Sequence, residues 1–205
     1  MTSLTLVAHA LTPALRGLVL GGDASPDPSG IEAARELKIV ADEVYSGPEV
    51  AALRTADALG LSPVVVRSLR DREYGEWTGR ELEELLEASP GTVATWLERP
   101  HTAPPGGESE NDLITRVADW LGDLAESPAV ADGPGSGSGF DSADGGGRGR
   151  ADRRTAVAVV HPSVVRAAVL YVLDAPAESL RHVDVRPLSV VRLSAHAGSW
   201  SLTFG

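Results

Sequence analysis

Two short apolar runs, Leu4 to Val7 and Val157 to Val160, each lead straight to a histidine, His9 in the first case and His161 in the second. Runs this brief, rich in valine and leucine and closed by a polar break, have the pattern of strands buried on both faces. Pro162 suits a first helical position, which makes His161 the cap of a helix over Val164 to Leu173. Between and around these strands the chain supplies helices. Ser29 to Glu32 has capping-box spacing, with Ile31, Ala34 and Leu37 on one face. Val44 to Ser46 reads as a strand, Pro48 opens a helix that runs to Gly60, and Val64 to Val66 is a further strand. Two acidic helices over 81–88 and 92–98, a Pro/Gly loop over 100–107 and a helix over 109–124 follow, and 189–193 with 200–204 reads as a terminal hairpin. The alternation predicts an α/β fold, a three-layer sandwich whose mostly parallel central sheet is flanked by helices. Ligands of such sheets bind at the carboxyl ends of strands, where both histidines fall.

Composition narrows the partners. The 205 residues carry a formal net charge of -11, so the summed field repels nucleic acid and anionic membranes. The absence of cysteine removes disulfides, thiolate metal sites and a cysteine nucleophile, and fits a reducing cytoplasm. Met1 to Thr5 has no basic n-region, and no stretch approaches the ~18 apolar residues of a spanning helix. The length predicts one domain over 1–205, interrupted at about 131–153 by a flexible Gly/Ser/Asp-rich insertion ending in Arg148, Arg150, Arg153 and Arg154.

A helix start offers unpaired N–H groups and partial positive charge, so each histidine stands beside a natural anion site. That suits phosphoryl transfer, with one neutral imidazole attacking phosphorus and a second histidine donating to the equatorial oxygens. The histidines and Asp71 lack metal-ligand spacing, so no metal or other cofactor is expected.

Further blocks fall in a telling order. Leu6-Val7-Ala8-His9-Ala10 is followed by Ser46-Gly47-Pro48 with Arg54-Thr55-Ala56, then by Leu69-Arg70-Asp71-Arg72-Glu73-Tyr74-Gly75-Glu76-Trp77-Thr78-Gly79. Pro105-Gly106-Gly107-Glu108-Ser109 and Val159-Val160-His161-Pro162 complete the set. Together they resemble the histidine phosphatase superfamily, the phosphoglycerate-mutase-like fold, across nearly the whole chain apart from the insertion. The resemblance implies that His9 becomes phosphohistidine, that His161 binds phosphate and stabilises the transition state, and that Asp71, standing where the family usually has glutamate, protonates the leaving oxygen. Glu108, in the loop that in such proteins contacts the region of the second histidine, is a substrate-binding candidate or a helix cap with Ser109. Thr12 is a further substrate-binding candidate, and the implied ligand is a small phosphorylated metabolite or inorganic phosphate. A homodimer is left open.

The chain departs from the family pattern where phosphate is clamped. Ala8 stands in place of the arginine before the first histidine, and Ala51 in place of the arginine on the helix after Ser46. Ala10 and Pro162 replace the glycines that follow the two histidines, and the proline removes an N–H. Alanine neither donates nor carries charge, so a weakened site is expected. Arg54, Arg16 and Arg166 are the arginines placed to compensate. Two functions stay open: a phosphomonoesterase, weakened or retuned, and an inactive pseudophosphatase that binds or regulates.

Overall fold

The computed structural model describes residues 1–127 and 154–204. The expected insertion at 131–153 lies outside them, apart from the arginine that follows it. Six strands form one sheet in the order β3-β2-β4-β1-β5-β6, with β1 at Thr2–Ala8, β2 at Glu43–Ser46, β3 at Val64–Val65, β4 at Arg154–Val160, β5 at Val190–His196 and β6 at Ser199–Thr203. The first four in that order are parallel, while β5 and β6 are antiparallel and close one edge. The expected three-layer α/β sandwich is therefore the fold.

The two central strands are apolar because both their faces are covered. On one face Leu4, Leu6, Ala156, Ala158 and Val160 pack under α6 (Glu110–Glu126) and α7 (Pro162–Val172). On the other, Val7, Val157 and Val159 meet Ala52 and Ala56 of α3 (Val50–Ala58), which itself packs on α2 (Pro28–Glu36). A separate cluster of Trp77, Leu85, Val93 and Trp96 joins α4 (Leu82–Ala88) to α5 (Pro90–Glu98) beside the sheet.

Local details differ from the sequence reading, among them the starts of α2 and α3 and a short helix it omits. Asp27, not Ser29, precedes α2, because Pro28 takes the first turn with its fixed φ and draws Ser29 inside the helix. Pro48 lies outside α3, since Glu49 is extended and its carboxylate is engaged elsewhere. A short helix, α1 (Pro13–Arg16), follows the first histidine, and the Thr12 hydroxyl caps it by accepting from the Leu15 N–H at 3.1 Å. No helix among the described residues is long and apolar enough to cross a membrane.

Candidate active site

The register of β1 on β4 sets the site. Ala8 pairs with Val160, and the His9 N–H donates to the Val160 carbonyl at 2.9 Å, so the residues that follow both strands emerge side by side. The imidazoles of His9 and His161 lie with ring centroids 5.1 Å apart, tilted by 49°. His9 is only 2% exposed. Its Nδ1 lies 2.8 Å from the Ala10 carbonyl, which can only accept, so Nδ1 carries the proton and Nε2 the lone pair. Burial first, then repulsion from His161, lowers its pKa to about 4, and the imidazole is neutral at pH 7. The next residue is held too: the Ala10 N–H donates to the buried Thr55 hydroxyl at 2.9 Å, which donates in turn to the Ala51 carbonyl at 2.7 Å.

His161 occupies the N-cap position of α7, as expected, with Pro162 in the first turn. Its Nδ1 lies 2.7 Å from Asp71 Oδ1, and the same oxygen accepts the Ser163 hydroxyl at 2.6 Å and the Arg72 N–H at 2.7 Å. Burial raises the proton affinity of Asp71, but attraction to His161 and these hydrogen bonds outweigh it and leave its pKa below the ordinary carboxylate value. An ionised carboxylate only accepts, so His161 Nδ1 is the donor.

Arg70 and Arg72, which flank Asp71, turn away from it. Arg70 reaches Glu73 at 2.7 Å and Glu108 at 3.6 Å. Arg72 donates to the Glu108 carbonyl at 2.9 Å, pairs with Glu110 at 3.3 Å and stacks on Trp96 at 4.9 Å. The Asp71 loop lies against the Pro-Gly-Gly-Glu-Ser loop so closely that a Cβ on Gly75, whose φ is +52°, would fall 2.1 Å from the Pro105 carbonyl. Glu108 is buried and accepts from Arg116 at 2.7 and 2.8 Å, while Arg116 also donates to the Ser68, Arg70 and Asp71 carbonyls. Glu108 thus anchors the loop that bears Asp71.

His9, His161 and Asp71 line one cavity of about 410 Å³, together with Thr12, Glu49, Ala51, Tyr74, Arg166, Asp184 and Arg186. Ala51 leaves its wall without the expected cation. Neither arginine named to replace that cation from β1 or α3's surroundings reaches the cavity. Arg54 is exposed on α3, and Arg16, with its side chain 65% exposed, pairs with Asp27 outside the lining. Arg166 does line it, with Nε bound to the Val183 carbonyl at 2.9 Å and its two terminal nitrogens without a hydrogen bond among the described residues.

Glu49 is the residue that sequence reasoning passed over. Its Oε1 accepts the Asp71 N–H at 2.7 Å, and its Oε2 is buried without a partner among the described residues. Burial raises its proton affinity, and the Asp71 charge adds to this against the backbone N–H groups that oppose it. An acid just before a helix ordinarily signals favourable dipole interaction, which disguised its inward turn. Among the described residues no group of three or more His, Cys, Asp or Glu side chains could hold a metal ion.

The chain has relatives. A protein of Hydrogenobacter thermophilus, provisionally named phosphoserine phosphatase 2, is 33% identical over 139 residues, 62% of this chain and 68% of that protein. The native structure of a mycobacterial glucosyl-3-phosphoglycerate phosphatase matches with a TM-score of 0.76 at 24% identity, covering 98% of this chain and 96% of that one. A phosphoserine phosphatase of Entamoeba histolytica, solved with 3-phosphoglyceric acid, matches with a TM-score of 0.77 at 21% identity over 100% and 96%. A family model matches residues 6–131, and with it the chain belongs to the histidine phosphatase superfamily, branch 1.

Proposed function

We propose that the protein hydrolyses small phosphomonoesters through a phosphohistidine on His9, at a rate reduced by the loss of two arginines. The observation that carries this reading is the pair of facing imidazoles, with the His9 tautomer fixed by Ala10 so that Nε2 is the nucleophile. Nε2 attacks phosphorus as the ester P–O bond breaks. The pair formed by His161 and Asp71 supplies the proton taken by the leaving oxygen; water then attacks phosphorus as the P–N bond to His9 breaks, its proton returning to that pair, and inorganic phosphate is released. Arg166 meets the phosphoryl oxygens in place of the missing arginines, and Thr12 borders them from the start of α1. Removing one donor aimed at developing charge typically costs ~10²–10³ in rate, which sets the scale of the defect.

Incubation with an aryl phosphate followed by mass spectrometry should trap phosphate on His9, and His9→Ala should abolish both the adduct and turnover. Equal rates for wild type and variant would overturn the reading. One observation favours a second reading, a pseudophosphatase that binds without turnover: the cavity offers a Glu49 carboxyl and the Ala51 methyl where an arginine is expected. That reading predicts phosphate binding with no His9 adduct.

A further inference from the structure

The cavity does not end at the histidines. Much of its lining is apolar, a wall made by Leu11 before α1, Leu15 within it, Leu18 and Leu20 after it, with Leu82 of α4 and Val185. No cation belongs to this wall. The arginines that line the cavity, Arg166 and Arg186, come from α7 and the segment before β5, and Arg16 is drawn outward to Asp27.

Leu18 stands out within it. It is 64% exposed and holds φ at +51°, in the left-handed region that a leucine rarely occupies. The surroundings impose that conformation. The Leu18 carbonyl accepts from the Leu82 N–H at 3.1 Å, the Leu20 N–H donates to the Arg80 carbonyl at 2.9 Å, and Val19 bridges to Glu81. A segment tied by its backbone to the start of α4, and presenting leucines to a cavity, is held for contact with something apolar. The volume of about 410 Å³ is that of a small-molecule site, larger than a phosphate alone would fill.

We infer that this wall is a leaving-group subsite, and that the preferred substrates are phosphomonoesters of apolar alcohols, with the phosphate at the histidines and the hydrocarbon against Leu15, Leu18 and Leu82. The inference rests on the phosphate site proposed above and adds the chemical class of the alcohol. It sets the chain apart from relatives named for phosphoserine and glucosyl-3-phosphoglycerate, whose leaving groups are polar.

Two measurements separate the subsite from the chemistry. The first is calorimetric binding of n-alkylphosphonates from methyl to hexyl, which are not hydrolysed. Affinity should rise about two- to fourfold per methylene until the wall is covered. Leu18→Asn, which keeps a residue tolerant of the left-handed backbone, and Leu15→Gln should each flatten that slope. The second is kcat/KM for n-hexyl phosphate against phosphoserine and 3-phosphoglycerate, with the hexyl ester preferred at least tenfold. A flat phosphonate series, a slope unchanged in both variants, or a preference for the charged esters overturns the subsite. A rising phosphonate series with no His9-dependent hydrolysis of any ester overturns the hydrolase reading and leaves the subsite standing.

Discussion

Asp71 Oδ1 lies 2.7 Å from His161 Nδ1, and the Ser163 hydroxyl closes the triangle at 2.6 Å from the same oxygen. The carboxylate that family resemblance casts as an independent acid is bound to the second histidine, and on the function proposed above the two hold the transferred proton together. Asp71→Asn keeps the shape but removes the charge that orients the ring. It should lower kcat/KM for an alkyl ester by about 10²-fold or more, and for an aryl ester by less, because a phenolate leaves without needing the proton. Equal losses on both esters would assign Asp71 to folding alone.

The pKa of His9, about 4, places the acid limb of activity there. A neutral imidazole is required for attack, so kcat/KM of the free enzyme should hold to well below pH 6 and fall as pH drops through about 4. A pH profile whose acid limb stands near 6.5, the ordinary histidine value, would contradict the burial argument.

The same histidine links stability to pH. Its folded pKa lies below its unfolded value, so between about 4 and 6.5 the unfolded chain binds the extra proton. The stability contributed by neutral His9 is fully present above 6.5 and is lost as pH falls toward 4. At pH 5 the loss is about 2 kcal/mol relative to pH 7. Urea denaturation at the two pH values, compared between wild type and His9→Asn, should show the variant losing less stability by roughly that amount.

Glu108 and Arg116 are both largely buried and joined at 2.7 and 2.8 Å. Glu108→Ala leaves the arginine uncompensated and should cost about 3–5 kcal/mol in urea denaturation. Because Arg116 also holds the Ser68, Arg70 and Asp71 carbonyls, turnover should fall in parallel. Glu108→Ala with full stability would mean the loop is anchored elsewhere.

Ala51 lines the cavity on the helix that faces His9's strand. Ala51→Arg should tighten inorganic phosphate binding and raise kcat/KM on small esters by about 10²-fold, the scale on which one such donor acts. A variant that folds normally and shows no gain would contradict the reading that the missing arginine limits the rate, the cavity's carboxylates, Glu49 among them, then being the opposing charge.

The sheet and its two histidines were legible because apolar runs closed by a polar break have few other solutions. Helix starts were less so: Ser29 has the residues of a cap, but Pro28 claims the first turn before it. The pairing of Asp71 was hidden by its neighbours. Arg70 and Arg72 flank it in the chain, and only the fold turns their side chains toward Glu73, Glu108 and Glu110 while bringing Ser163 and His161 to it. The arginines showed the same limit. Spacing put Arg54 near Ala51 on α3, yet it is Arg166, one turn beyond His161, that lines the cavity. Side-chain direction across elements is a property of packing, which no local pattern records.

Arg154 opens β4 and reaches back across the gap in the described chain, donating to the Ser127 carbonyl at 3.2 Å and the Leu124 carbonyl at 2.8 Å while it pairs with Glu43. One buried guanidinium therefore ties off both ends of whatever runs between Ser127 and Arg154. It sits at the amino end of the strand whose carboxyl end carries His161, seven residues and about 23 Å away at the usual strand rise. A change in the chain beyond Ser127 or before Arg154 therefore meets this guanidinium and its partners before it meets the sheet, and the end of β4 opposite His161 stays fixed by them.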